Sequence, residues 1–150
     1  MGRRWCEPSG NRRTNRSERA LVQRDRYYVA LPNGVYRYDA SVHRLVLKCA
    51  IDARNMTGYQ DFVDSDPLDL VYVVQTGRIV TMPPQQRDVF SAVGAGAIAQ
   101  NVALYCAATG LANVVRGWIN HRLLADALSL NEDEIPILTH TIGMPVLESA

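Results

Sequence analysis

The feature that most constrains the fold is a long Ala-rich segment in the second half of the chain. The run QQRDVFSAVGAGAIAQNVALYCAAT (85–109) predicts one helix, and Gly110 is expected to cap its C-terminal end. Its apolar residues do not form a single stripe, because Val93 lies on one side and Ile98 on another. A helix that is apolar nearly all round is buried nearly all round. In a chain of 150 residues this predicts a central helix that also forms a subunit interface.

Three strands are predicted before this helix. The runs RYYVAL (26–31) and VYRYD (35–39) flank a Pro-Asn-Gly turn, in which Asn33 and Gly34 are expected to supply the positive-φ residues of a tight hairpin. A third strand follows in HRLVLKCA (43–50), where apolar and charged residues alternate. Three such strands with one apolar face predict a meander.

The remaining strands alternate with helices. DLVYVVQT (69–76) is a nearly continuous run of β-branched and aromatic residues, which is typical of a central strand buried on both faces. After the long helix we predict a strand in 111–118, an amphipathic helix in 120–130 with Asn120 as its N-cap, and a last strand in 136–145. This order predicts an α+β fold.

Charge divides the chain into two parts. Residues 1–26 carry eight arginines and three acidic residues, a net charge of +5, whereas the whole chain has a net charge of +1. Residues 1–25 therefore read as an irregular basic arm, and 26–150 as one domain. A basic arm is also found on nucleic-acid-binding proteins, but little aromatic interleaving and no recognition fold favour no nucleic-acid partner.

Metal, membrane and export functions have little support in the sequence. The three cysteines and three histidines are scattered, without the spacing of a metal site or a disulfide framework. No uninterrupted apolar run reaches the roughly 18 residues that span a bilayer, and the basic N-terminus lacks the apolar region of a signal peptide. We therefore expect no metal, no membrane partner and a cytoplasmic location.

Three short motifs point to ligand binding. The stretch Gly94–Ala99 matches the dinucleotide pattern GxGxxA, but no strand precedes it, so packing glycines within a helix are the better interpretation. In VVRGW (114–118) a strand end is followed by glycine, which lets backbone amides face a planar ligand, and Arg116 could neutralise an anionic one. On spacing alone, however, an ordinary strand-to-helix turn with an exposed Arg116 is the better interpretation. The pair Arg12-Arg13, with the hydroxyls of Thr14 and Ser17 nearby, suits a phosphate group, although taken alone a loose arm is the better interpretation.

The order of these segments resembles the nitroreductase family, in the branch near the thiazole/oxazole-forming oxidases. The resemblance runs from 27 to 145, and a shorter match precedes it in W…GNRRT (5–14). The matching stretches are YYVALPNGVYRYDASVHRLVL (27–47), TGYQDFVDSDPLDLVYV (57–73), AGAIAQNVALYCAATGLANVVRGW (95–118) and THTIGMP (139–145).

The resemblance implies a mainly antiparallel sheet with a long buried helix, in an intertwined homodimer that binds FMN in two interface clefts. NAD(P)H would deliver hydride to the flavin and leave, and a nitro- or quinone-like electrophile would then take the electrons in a ping-pong sequence. Because the flavin carries the chemistry, we predict no catalytic side chain. The residues that match the flavin-facing strand end are Val114, Val115, Arg116 and Gly117.

The N-terminal match to the family is shortened. An R-S-x-R-type segment that holds the FMN phosphate has no counterpart, so Arg12 and Arg13 are the candidates for that contact, while Ser17 and Gln23 match the stretch that binds the ring and the ribityl chain. Loss of a bidentate phosphate contact lowers affinity by about two decades. The alternative hypothesis is therefore a flavin-free, truncated relative that acts as a dimerising scaffold.

Overall fold

The protein is described from a computed structural model, in which residues 26–78 and 82–145 are placed. Six strands form one sheet in the order β3-β2-β1-β4-β6-β5, and every neighbouring pair is antiparallel. The strands are β1 (Arg26–Leu31), β2 (Gly34–Asp39), β3 (Arg44–Cys49), β4 (Leu68–Gln75), β5 (Ala112–Arg116) and β6 (Glu134–Gly143). The helices are α1 (Pro84–Thr109) and α2 (His121–Ala127), and short 3₁₀ turns span Arg54–Met56 and Thr76–Arg78. The predicted α+β class and antiparallel sheet are confirmed.

Strand β4 is the centre of the sheet and is covered on both faces, as its sequence predicts. On one face Val71 and Val73 pack in a cluster that includes Leu124 of α2 and Leu128 just beyond it. On the other face Tyr72 packs against Ala95 and Ala99 of α1 in a second cluster of buried residues. Because alternate side chains of a strand point to opposite faces, one continuous apolar run serves both layers.

The hairpin between β1 and β2 differs in detail from the sequence prediction. The loop consists of Pro32 and Asn33, because Gly34 already pairs with Leu31 across the two strands. Gly34 has φ +156°, whereas Asn33 is not among the residues with positive φ. Proline fixes φ near −65°, so the turn is built around Pro32, and only Gly34 needs the freedom of glycine.

Strand β3 is an edge strand whose apolar side chains stay exposed. It pairs only with β2 in the described part of the chain, and Leu45, Val46 and Leu47 are all solvent-exposed. The alternating pattern therefore predicts the strand correctly, but no element within residues 26–78 and 82–145 covers its apolar face.

Helix α1 has the predicted bounds and the predicted cap. Gly110 adopts the left-handed conformation, with φ 73°, and its amide donates to the carbonyl of Cys106. The small residues of the GxGxxA stretch lie inside this helix, which excludes a phosphate-binding turn after a strand. Ala95 and Ala99 of this stretch contact the sheet.

Burial of α1 within one chain is limited to a single stripe. The buried residues are Ser91, Ala95, Ala99 and Cys106. Val89 and Val93 are 65% and 66% exposed, and Leu104 and Tyr105 are exposed as well. One sheet layer covers only one side of a helix, so burial all round requires a further surface. By length and mean hydropathy alone α1 would also pass as a membrane span, although its small-residue stripe packs on the sheet.

The first turn of α2 carries the predicted N-cap, which gives a stability prediction. The Asn120 Oδ1 atom accepts a hydrogen bond of 3.0 Å from the Leu123 amide. We expect Asn120→Ala to lower the free energy of unfolding by about 1 kcal/mol, because that amide loses its partner. Urea denaturation measures this change, and Asn120→Asp, which keeps an acceptor at the cap, is the matched control. An Asn120→Ala midpoint equal to that of the control would contradict the capping role.

Candidate functional site

The strand end predicted to face a ligand lies at an open edge of the sheet. Strand β5 pairs with β6 on one side, and no strand of the described residues pairs with its other side. An edge strand presents backbone amides and carbonyls without sheet partners. Val114 and Val115 are both exposed at this edge. The backbone from 114 to 117 can therefore offer hydrogen bonds to a ligand with a polar edge.

Gly117 directly follows β5 and leaves space beside it. A Cβ atom added at this position would contact only the Leu138 Cδ2 atom, at an ordinary 3.5 Å. Gly117 is also not among the residues with positive φ. Neither packing nor backbone conformation thus requires glycine here, and the missing side chain leaves the backbone open to close approach.

The Arg116 side chain is turned inward and is only 5% exposed. Its Nη2 atom donates to Asp69 Oδ1 at 2.8 Å and to Thr57 Oγ1 at 3.2 Å, and it also contacts Thr141 Oγ1. Both sequence-based interpretations of this side chain, an exposed arginine and a group that neutralises an anionic ligand, are corrected by this geometry. An internal carboxylate already neutralises the guanidinium, so a ligand at this edge would meet the Arg116 backbone.

Asp69 is the buried partner that the sequence analysis missed. Its Oδ1 atom accepts from Thr141 Oγ1, and its Oδ2 atom accepts from Thr57 Oγ1 at 3.0 Å. Burial raises the pKa of the Asp69 carboxyl, while the Thr141 hydroxyl and the Arg116 guanidinium act in the opposite direction. A signal was available, because an acidic residue near the start of a strand buried on both faces needs a cationic partner.

A second buried polar group lies on the opposite face of the sheet, under α1. His140 Nδ1 lies 3.0 Å from the Tyr72 hydroxyl, and Nε2 lies 2.9 Å from Asn113 Oδ1. Burial, and then the nearby Arg116 charge, lower the pKa of His140. A neutral ring accepts at one nitrogen and donates from the other. Because Asn113 Oδ1 can only accept, Nε2 carries the proton and Tyr72 donates to Nδ1.

Because His140 is buried in its neutral form, the free energy of unfolding is expected to depend on pH. Above about pH 6.5 the residue is neutral in both the folded and the unfolded chain, and its contribution is fully present. As the pH falls, the unfolded chain binds a proton that the folded chain does not, so stability is lost by up to about 1.4 kcal/mol per pH unit. We expect His140→Gln to reduce this slope in denaturation curves between about pH 5 and 6.5. His43→Gln, in the exposed β2–β3 turn, is the control, and an unchanged slope in His140→Gln would refute the assignment.

A small cavity lies beside β5. It has a volume of about 240 Å³ and is lined by Asp66, Ala112, Asn113, Val114, Thr141 and Gly143. Cofactor pockets usually measure about 300–1,000 Å³. The cavity that the described residues form beside β5 is therefore smaller than a usual cofactor pocket.

The remaining predicted site residues all belong to the N-terminal part of the chain. Arg12, Arg13, Ser17 and Gln23 lie outside the described residues, as does the predicted arm 1–25. Val114, Val115, Arg116 and Gly117 lie at the open edge, at the end of β5 and directly after it. Trp118, which follows Gly117, is 76% exposed, and the centre of its ring system lies 5.2 Å from the ring centre of Tyr59.

The family follows from a match over most of the chain. The family model described as "Nitroreductase family" matches residues 14–144, which include the whole sheet, α1 and the strand end at 114–117. The chain belongs to the nitroreductase family. The membership agrees with the resemblance seen in the sequence and with the antiparallel sheet and long helix of the fold.

Solved structures of nitroreductases share this fold. The chain is 58% identical to a putative nitroreductase from Ralstonia eutropha JMP134, with a TM-score of 0.78 over 83% of this chain and 60% of that one. The chain thus spans about three fifths of that relative's length. It also matches the NADPH:FMN oxidoreductase of Vibrio harveyi, solved with NAD⁺, at 21% identity and a TM-score of 0.60, over 85% of this chain and 53% of that one.

A more distant match lies in a biosynthetic complex. The E. coli microcin synthetase McbBCD, solved with truncated pro-MccB17, contains a chain with 15% identity and a TM-score of 0.73, over 85% of this chain and 53% of that one. At this identity the likeness shows the fold alone. No curated protein matches the chain.

Proposed function

We propose that this protein is an FMN-dependent oxidoreductase that uses NAD(P)H to reduce a small electrophilic acceptor. The observation that carries the proposal is the open strand end at Val114–Gly117, in a chain of the nitroreductase family. There an edge strand offers free backbone groups, and a glycine that the fold does not require leaves room for a planar ring. Relatives with a similar fold include an NADPH:FMN oxidoreductase.

The strand end would hold the ring of FMN, and the N-terminal arm would hold its phosphate. Val114, Val115, Arg116 and Gly117 would contribute backbone groups, since the Arg116 side chain is engaged by Asp69. For the phosphate we propose Arg12 and Arg13, and for the ribityl chain and ring edge Ser17 and Gln23. Guanidinium groups bind phosphate through paired, charge-assisted hydrogen bonds.

FMN held at this edge would supply the redox chemistry, which is hydride acceptance from NAD(P)H and electron transfer to a nitro- or quinone-like acceptor. The chain's own residues then have three tasks. The open edge at 114–117 binds and orients the ring through its backbone, Gly117 permits close approach, and the exposed Val114 and Val115 provide apolar contact. No protein side chain is assigned a proton transfer.

We further propose that two copies pair through α1 to complete the site. The side of α1 that faces away from the sheet carries exposed apolar residues and borders a groove of about 570 Å³, lined by Met82, Gln85, Gln86, Val89, Phe90 and Val93. A Cβ atom added at Gly96 would meet nothing within 4 Å. Glycine inside a helix costs roughly 0.5–1 kcal/mol relative to alanine, so its presence on an open face favours close approach of a partner helix. We propose a soluble, cytoplasmic homodimer.

Anaerobic reduction tests the proposed activity. Protein reconstituted with FMN is mixed with NADH or NADPH, and the loss of the flavin's visible absorption is followed. Addition of a nitroaromatic or quinone should then restore the absorption, as a ping-pong sequence requires. Bound FMN that neither nucleotide reduces would refute the proposal.

The alternative function is a flavin-free dimerising scaffold. The small cavity beside β5 and the large exposed apolar face of α1 are the observations that favour it. This alternative predicts a dimer that retains no FMN, whereas the oxidoreductase proposal requires both properties.

A further inference from the structure

The buried ion pair between Arg116 and Asp69 connects three strands and one loop. Arg116 is the last residue of β5, and its guanidinium reaches across β6, where it contacts Thr141, to Asp69 near the start of β4. It also donates to Thr57, in the loop that follows the 3₁₀ turn Arg54–Met56. Through these contacts the end of the edge strand is tied to the centre of the sheet.

The loop between the 3₁₀ turn Arg54–Met56 and β4 encloses the other side of the Arg116 guanidinium. A Cβ atom added at Gly58 would lie 2.2 Å from Arg116 Nη1, and the Phe62 ring centre lies 5.8 Å from Arg116 Cζ. Thr57 is itself held, because Thr139 Oγ1 donates to its carbonyl at 2.7 Å. The guanidinium is therefore enclosed on both sides, and the backbone that carries it has little freedom to shift.

Stability alone does not account for this arrangement. Removing two charges from water is costly, and buried ion pairs can often be replaced by apolar residues without loss of stability. Arg116 Nε and Nη1 also have no hydrogen-bond partner within the described residues. A buried guanidinium with unsatisfied donors contributes little to stability. Its ion pair with Asp69 does, however, fix one position for Arg116.

We propose that Asp69 is a positioning residue, which fixes Arg116 and thereby holds the backbone of 116–117 in place at the open edge of β5. Thr57 and Thr141 share this role through their hydroxyls. The inference rests on the proposed function, since it assigns the fixed backbone to FMN binding. Holding a binding backbone in place before the ligand arrives raises affinity, because less order has to be created on binding.

The experiment compares the full-length wild-type chain with Asp69→Asn and with a matched control, Glu134→Gln. Glu134 is likewise a buried carboxylate of the sheet, paired with Arg26 at the other end of β6. Two quantities are measured: amide hydrogen exchange in the peptide that contains 114–118, and the dissociation constant for FMN from titration of the flavin absorption. We expect Asp69→Asn to speed exchange in this peptide and to weaken FMN binding about tenfold, equivalent to about 1.4 kcal/mol, whereas Glu134→Gln changes neither.

A second variant is needed because Asp69→Asn leaves the buried Arg116 cation without its counter-charge, which can prevent folding. Gly58→Ala keeps both charges and displaces the guanidinium from the loop side, so it should change exchange and affinity in the same direction. Unchanged exchange and affinity in both variants, with wild-type protein that binds FMN, would overturn the positioning role and leave the oxidoreductase proposal intact. If wild-type protein binds no FMN, the proposed function fails, and hydrogen exchange alone then decides whether Asp69 fixes the strand end.

Discussion

Gly117→Val is expected to abolish retention of FMN while the protein stays folded. The valine side chain would fill the open position beside β5 and keep the ring from approaching the backbone, so we expect the dissociation constant for FMN to rise about a hundredfold, equivalent to about 2.7 kcal/mol. The fold should tolerate the change, because the first added carbon meets only Leu138 Cδ2, at 3.5 Å.

Titration with FMN, followed by absorption or by quenching of flavin fluorescence, measures this effect. Circular dichroism and the urea midpoint establish that the variant is folded. Gly117→Ala is the graded control, expected to weaken binding less than valine does, because its side chain is smaller. Wild-type affinity in a folded Gly117→Val protein would show that the flavin does not bind at this strand end.

Val93→Glu is expected to convert the proposed dimer into monomers. Val93 is 66% exposed in the single chain, so a carboxylate there stays in water and leaves the monomer unharmed. In a dimer that pairs through α1 the same carboxylate would be buried without a partner, at a cost of several kcal/mol. We therefore expect the dimer dissociation constant to rise at least about a hundredfold.

Sedimentation velocity over a range of protein concentrations measures the shift. Val42→Glu provides the matched control, since Val42 is a similarly exposed valine on the β2–β3 turn, far from α1 in sequence. A Val93→Glu protein that sediments as the wild type does would show that this side of α1 is not the subunit interface. Ala97→Glu, at a neighbouring exposed position of α1, should also give monomers.

Local sequence pattern was sufficient to predict most of the elements. The β-branched and aromatic run of β4 indicated a strand buried on both faces, because neither face of such a strand meets water and so neither has to be polar. Asn120 and Gly110 marked the start of α2 and the end of α1 through capping preferences that act within a few residues. Elements whose signals are local could thus be read directly from the chain.

Long-range contacts could not be predicted in this way. Arg116 and Asp69 are 47 residues apart, and only the order β4-β6-β5 brings them within hydrogen-bond distance. Without the topology, Arg116 at a strand end looks like an exposed or ligand-binding cation. The exposure of the apolar residues of β3 could not be predicted for the same reason. A sequence pattern shows which face of a strand needs to be covered, but not which surface covers it.

The central claim, that this strand end belongs to a working FMN site, is tested most directly by the visible absorption spectrum of the purified protein after incubation with excess FMN and desalting. Our account predicts a yellow protein that retains about one FMN per chain, reducible by NAD(P)H. A folded protein that emerges colourless from desalting would contradict it.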